Sequence, residues 1–226
     1  MLAKELISDI VPAIGLEEEG IKALNWMEVF RISHIPVVGD DNEFIGLISD
    51  NEIYDYDLAE KSIGSHKLNL IRPFVTQNQH IYEIIDVVSR LKLTILPVLD
   101  DKNRYIGVIT LQDLVHQFAE LSAVQSPGAV FILELDQNNY SLSQISQIIE
   151  SNDAKVLSLY VSSSRDSTKI EVTVKINTLD FSAVRQTLER YDYSIKASYS
   201  DEDRLSEMLE KRYDEFMFYL NFNLIN

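Results

Sequence analysis

The chain has no cysteine, so disulfides and cysteine-ligated metals are excluded. Glycine is scarce, with 7 residues in 226, and no glycine-rich phosphate loop can be assembled from them. Basic residues are in deficit: 20 Lys and Arg stand against 36 Asp and Glu, a net charge of −16. The Lys and Arg are scattered, which argues against binding nucleic acid through its phosphates. The same charge repels polyphosphates unless a local Arg, His or cation offsets it. No apolar run approaches the length of a membrane span, so no membrane partner is expected. Residues 1–9 carry Glu5 and Asp9 and no small-residue cleavage signature, so a secretory signal is not expected and a cytoplasmic protein is the simplest reading. The four histidines (34, 66, 80 and 116) form no metal-ligand spacing with a carboxylate, and no nucleophile elbow is present. The chain is therefore read as non-catalytic, with no metal site and no required cofactor.

What is present is a duplication. Gly46-Leu47-Ile48-Ser49-Asp50-Asn51-Glu52 recurs 61 residues later as Gly107-Val108-Ile109-Thr110-Leu111-Gln112-Asp113. At that offset no gap is needed, and 7 of the 13 positions from 36 to 48 are identical. Pro36-Val37 matches Pro97-Val98, Asp40 matches Asp101, and Asn42 matches Asn103. Each motif reads as a strand running into a capping box, Ser49 with Glu52 and Thr110 with Asp113. The free N–H groups at such a helix start, with the positive end of the helix dipole, suit hydroxyl-rich or anionic ligands.

Each repeat reads in the same order: an apolar opening (6–12; 70–73), a helix (17–30; 80–91), a strand (35–38; 95–99), a polar turn, a return strand (44–49; 105–110) and a closing helix (51–58; 111–121). Helical spacing turns Ile21, Leu24, Met27 and Phe30 inward in the first repeat, and Ile81, Ile84, Ile85, Val88 and Leu91 in the second. One 60-residue unit is marginal alone, and two burying their faces together are not. Ser126-Pro127-Gly128 marks a linker. Beyond it the pattern becomes strand 129–135, helix 141–151, strands 156–161 and 170–176, helix 180–190 and strand 193–199, the β-α-β-β-α-β order of a split βαβ fold. Ser200 and Asp203 read as another capping box. It opens an amphipathic helix with Leu205, Leu209, Tyr213, Phe216 and Leu220 on one stripe.

The tandem (Ile/Leu)-Pro-Val strands and Gly-x-x-(Ser/Thr)-x-x-(Asp/Glu) ends resemble a pair of CBS domains. The segment after the linker looks like an ACT domain. The combination is similar to bacterial proteins of the acetoin-utilisation regulator type. The fold class expected is thus α+β or α/β: repeat 1 over 1–61, repeat 2 over 62–121, linker 122–128, a ferredoxin-like, ACT-like domain over 129–200 and a C-terminal amphipathic helix over 201–226.

The resemblance implies two clefts between the repeats that hold adenosine-containing ligands, with the ribose on the Ser/Thr and Asp of the motif. The first cleft would use Thr110 and Asp113 with Pro12, Ile32, Ser33 and His34, His34 meeting a phosphate. The second would use Ser49 and Glu52 with Pro73, Leu93, Thr94 and Ile95. Glu52 is one methylene longer than the usual Asp, which sets the second cleft apart. All four motif residues are also explained as helix caps. The regulatory ligand implied is AMP, ADP, ATP or S-adenosylmethionine. The loop Asp136-Gln137-Asn138-Asn139 keeps the Asp of amino-acid-binding ACT domains but lacks their Gly, which makes close backbone approach harder. A regulatory sensor, a ligand-free structural adaptor and an amino-acid sensor remain as functions. A homodimer and an unknown protein partner are the assemblies implied.

Overall fold

The computed structural model describes residues 1–8, 10–65, 70–163 and 168–200. The chain divides into two compact units, Met1–Gln117 and Phe118–Asn226. The amphipathic helix expected over 201–226 lies outside the described residues.

In the first unit both repeats form the same five-element structure. The first runs β1 (Ile14–Gly15), α1 (Gly20–Phe30), β2 (His34–Val38), β3 (Phe44–Ser49) and α2 (Asp50–Asp55). The second runs β4 (Val75–Thr76), α3 (Ile81–Leu91), β5 (Ile95–Leu99), β6 (Tyr105–Thr110) and α4 (Leu111–Leu121). Each sheet has three strands, a short parallel one beside an antiparallel hairpin: β1-β2-β3 and β4-β5-β6. The duplication extends to backbone detail. His34 pairs Ser49 as Ile95 pairs Thr110, and both hairpins shift register at the same place, Val37/Val38 and Val98/Leu99. Asn42 and Asn103 both sit at φ 59°, the left-handed turn conformation that asparagine tolerates.

The two-residue strands β1 and β4 were not among the expected elements. They are too short to show alternation, and only their parallel pairing with β2 and β5 defines them. Helix α1 turns Met27 inward as expected, with Leu24 and Phe30 partly buried against the core, whereas Ile21 is 44% exposed and Ala23 is buried. Gly20 at its start packs closely: an added Cβ would lie 2.4 Å from the Leu58 carbonyl oxygen. In α3, Ile81, Ile84 and Val88 are buried as spaced, whereas Leu91 at the last turn is 48% exposed.

The repeats exchange their opening segments. Ala3 and Lys4 donate to the Gln79 and Gln77 carbonyls in front of α3, and Ser8 donates to the Val108 carbonyl on β6. In return Ile63 and Gly64 donate to the Glu18 and Leu16 carbonyls in front of α1, and Leu47 on β3 donates to the Ile71 carbonyl. A glycine stands at each crossing. A Cβ on Gly107, itself at φ +148°, would lie 2.4 Å from Ile7 Cγ2, and one on Gly46 would lie 2.6 Å from Leu70 Cβ. One continuous apolar core results, with Ile35, Val37, Ile95 and Val98 fully buried. Burial of each such side chain stabilises by roughly 1.5–3 kcal/mol before entropy is subtracted.

The second unit contains β7 (Ala129–Asp136), α5 (Leu142–Glu150), β8 (Val156–Ser163), β9 (Lys169–Ile176), α6 (Ser182–Arg190) and β10 (Ser194–Ser200). The sheet order is β10-β7-β9-β8, all antiparallel, which is the split βαβ topology. Alternate residues Phe131, Leu133 and Leu135 of β7 and Val172, Val174 and Ile176 of β9 face a core shared with Ile145, Ile149, Val184 and Leu188 of the helices. Leu142, at the first turn of α5, is 50% exposed. Asp180 does not occupy the cap position itself; Phe181 does, and the Asp180 carboxylate accepts from the Ser182 N–H at 3.1 Å.

Candidate functional site

The junction of β6 and α4 forms one wall of a cavity of about 430 Å³, within the range of small-molecule sites. Thr110 ends the strand. Its Oγ1 accepts from the Asp113 N–H at 3.0 Å and donates to Asp113 Oδ2 at 2.6 Å. The capping hydroxyl therefore also holds the carboxylate in place. Leu111 N–H donates to the Thr94 carbonyl at 2.9 Å, tying the start of α4 to the strand beside it. The crossing segment of repeat 1 supplies Ser8, Ile10 and Val11 to the lining, and the end of α1 supplies Phe30, Arg31 and Ile32. Val115 and Gln112 complete the α4 side.

Chemically this is a largely apolar slot whose lining also includes the carboxylate of Asp113, the hydroxyl of Thr110 and the basic residue Arg31. A carboxylate with an oxygen to spare accepts from vicinal hydroxyls, forming charge-assisted bonds. The apolar walls suit a planar base. Among the described residues no cluster of His, Asp and Glu could hold a metal ion.

Of the residues expected in the first cleft, Thr110, Asp113 and Ile32 meet at this cavity. Pro12 and Ser33 adjoin lining residues in the chain without lining it themselves. The Ser33 N–H donates to Thr94 Oγ1 at 3.0 Å, joining equivalent positions of the two repeats. His34 stands elsewhere. It lies opposite Ser49 in the β2–β3 ladder, with the carboxylates of Asp50 and Glu52 near enough to act on its charge. Burial nevertheless lowers its pKa, and its Nδ1 is buried without a hydrogen-bond partner.

The residues assigned to the second cleft divide similarly. Thr94 lines the first cavity, and Leu93 and Ile95 are buried in the core, Ile95 directly opposite Thr110. Pro73 is half-buried. The physical reason is the hairpin. Antiparallel pairing brings the start of β2 or β5 beside the end of its own repeat's return strand, so Ser33 and His34, like Thr94 and Ile95, lie next to their own motifs. At the second motif Glu52 is drawn back into the cap. Its Oε2 accepts from both the Ser49 N–H and the Ser49 hydroxyl at 2.8 Å, while Ser49 Oγ accepts from the Glu52 N–H at 3.2 Å. The extra methylene lets this carboxylate reach the cap N–H; no matching bond from the Thr110 N–H accompanies Asp113.

Arg31 was missed from sequence. Its signal was weak: a single arginine just past a helix end, with no motif around it. The structure gives the reason for its position. Arg31 is the C-cap of α1 with φ 53° and ψ 47°, and this left-handed residue turns the chain into β2. Lys92 holds the same place and the same φ after α3.

The second unit has its own cavity, of about 550 Å³, at one end of the sheet. Asp136 at the end of β7, Asn139 from the turn after it, Gln144 of α5, Lys169 and Tyr193 line it. Tyr193 donates its hydroxyl to Gln144 Oε1 at 2.8 Å, and Lys169 pairs with Glu134 at 2.7 Å.

Comparison with known proteins bears on the first unit. The CBS domain family model matches residues 19–59 and 70–120. Inosine-5'-monophosphate dehydrogenase of Methanocaldococcus jannaschii is 26% identical over 115 residues, half of this chain but only 23% of that enzyme. Hypoxic response protein 1 of Mycobacterium tuberculosis is 25% identical over 134 residues, 57% of this chain and 92% of that protein. Among solved structures, a CBS domain pair/ACT domain protein from Thermotoga maritima matches with TM-score 0.48 and 22% identity, over 53% of this chain and 98% of that one.

Proposed function

We propose that the CBS domain pair formed by the two repeats is a non-catalytic regulatory module whose first cleft takes an adenosine-containing ligand: AMP, ADP, ATP or S-adenosylmethionine. The observation that carries this reading is the cavity in which Asp113, held by the Thr110 hydroxyl, faces the apolar side chains of Val11 and Ile32. Asp113 takes the ribose hydroxyls and the apolar walls take the base. Because the cavity is built from both repeats, a ligand in it favours one packing of the opening segment on β6, and that differential is what a regulator needs. The second cleft, with Glu52 engaged in its own cap, contributes to the fold rather than to affinity.

The proposed layout is CBS repeats over 1–61 and 62–121, a linker over 122–128, an ACT-like domain over 129–200 and a C-terminal segment over 201–226. The proposed setting is cytoplasmic. No described helix is long and apolar enough to cross a membrane. A homodimer is proposed as well. Leu111, Val115 and Phe118 repeat at helical spacing on α4 and are 45%, 63% and 50% exposed, the kind of apolar stripe that marks an interface.

The test is a thermal-shift screen of the full chain with AMP, ADP, ATP and S-adenosylmethionine, with and without Mg²⁺. A ligand that binds only the folded state at 100 times its Kd stabilises by about 2.7 kcal/mol, which is readily seen. Absence of any shift at millimolar concentration overturns the sensor reading and leaves the adaptor. A second reading, an amino-acid sensor, draws on the cavity beside Asp136 and Asn139. Free amino acids belong in the same screen.

A further inference from the structure

We infer that Arg31 makes the first cleft selective for an adenosine ligand bearing a single phosphate, over both the uncharged nucleoside and the polyphosphates. This rests on the reading of that cleft as an adenosyl site and adds the ligand's charge.

The inference starts from an accounting of arginines. Arg72 donates to the Phe44 carbonyl at 2.7 Å. Arg90, Arg104 and Arg185 form ion pairs with Asp86, Asp100 and Glu189. Arg190 lies over the Tyr191 ring. Among the described residues Arg31 alone of these six has no such acceptor, ion pair or ring. In a chain carrying 16 more negative charges than positive, a described guanidinium with neither acceptor, ion pair nor ring is the exception. It is among the residues that line the cavity. Its backbone is fixed there by the left-handed turn, whose N–H bonds to the Glu28 and Met27 carbonyls. The conformation is structural, since Lys92 repeats it. The residue type is what differs, and a planar fork matches phosphate oxygens in a way an ammonium does not.

The charges around the cavity then limit the ligand. Among the described residues Arg31 and Asp113 are the only ionised side chains that line it. Asp113 is satisfied by ribose hydroxyls, which bring no charge. One described cation remains for the anionic group, enough for one phosphate. The further charges of ADP or ATP meet no other described cation in the wall and enter the field of a strongly acidic protein. Adenosine leaves Arg31 without a partner and gains nothing from it.

The test is calorimetric titration of the full chain with adenosine, AMP and ATP, the last with and without Mg²⁺. The variants are Arg31→Asn and Arg31→Lys; asparagine is chosen because it tolerates the left-handed backbone. The wild-type protein should bind AMP about tenfold or more tighter than adenosine, as a charge-assisted contact warrants, and tighter than Mg²⁺-free ATP. Arg31→Asn should bring AMP down to the affinity of adenosine and leave adenosine itself unchanged; Arg31→Lys should fall between. Equal wild-type affinity for AMP and adenosine, or tightest binding of Mg²⁺-free ATP, overturns the inference while the adenosyl site stands. An Arg31→Asn variant that loses adenosine and AMP equally shows a structural role and overturns it too. Failure of every adenosyl compound removes the site, and the inference with it.

Discussion

Replacing Asp113 by Asn and Glu52 by Gln separates ligand binding from helix capping. Both residues cap a helix, but their carboxylates are engaged differently. Asp113 accepts only from the Thr110 hydroxyl, through Oδ2. An asparagine keeps a carbonyl oxygen for that bond and loses only a charge at the start of α4, worth about 0.3–1 kcal/mol. Toward the ribose the loss is larger. Two charge-assisted bonds become neutral ones at about 1 kcal/mol each. The expected penalty is about 2 kcal/mol, roughly thirtyfold in Kd for AMP. Glu52 is the reverse case. Its Oε2 serves the Ser49 N–H and hydroxyl together, so Glu52→Gln weakens two local bonds and lowers stability by about 1 kcal/mol. It should leave AMP affinity within a factor of two to three. The assays are urea unfolding and calorimetric titration on the same preparations. Equal loss of AMP affinity in the two variants, or an Asp113→Asn protein that unfolds as readily as it loses ligand, would refute the reasoning.

Three further outcomes are expected. Gly107→Ala puts a Cβ 2.4 Å from Ile7 Cγ2 at a φ of +148°, and should cost about 1–3 kcal/mol by overpacking and weaken AMP binding by displacing the segment that carries Ser8 and Val11; a variant with wild-type urea midpoint counts against the crossing described above. Burial lowers the His34 pKa, so the unfolded chain takes up the proton first: as pH falls through the unfolded value near 6.5 toward the folded one, stability is lost, whereas above 6.5 it is fully present. His34→Ile, which copies Ile95 of the other repeat, should lose less stability than wild type between pH 7.5 and 5.5, and equal losses would remove His34 as the cause. Light scattering at micromolar concentration should give twice 25.9 kDa for the full chain, and Phe118→Glu should reduce that mass; a wild-type monomer rejects the dimer.

Much of this architecture is written in local pattern. The 61-residue offset predicts two equal hairpins, and they share pairing, bulge and turn conformation. Alternation and helical spacing predict the β-α-β-β-α-β order of the second unit, and Ser49/Glu52 and Thr110/Asp113 announce themselves as caps because capping is a contact three residues long. What joins residues distant in the chain was not legible. The crossing of residues 1–8 onto β6 is held by backbone hydrogen bonds, which carry no side-chain signature. The strands β1 and β4 exist only through their neighbours. Antiparallel pairing placed Thr94 at the first cavity and His34 beside the second motif. Arg31 needed the turn after α1 and the opposite repeat to bring it to the same cavity as Asp113. The sequence by itself determined the elements and their repetition, because these depend on neighbours a few residues apart; the tertiary structure alone decided which ends of those elements face one cavity, because that depends on how two hairpins exchange their openings.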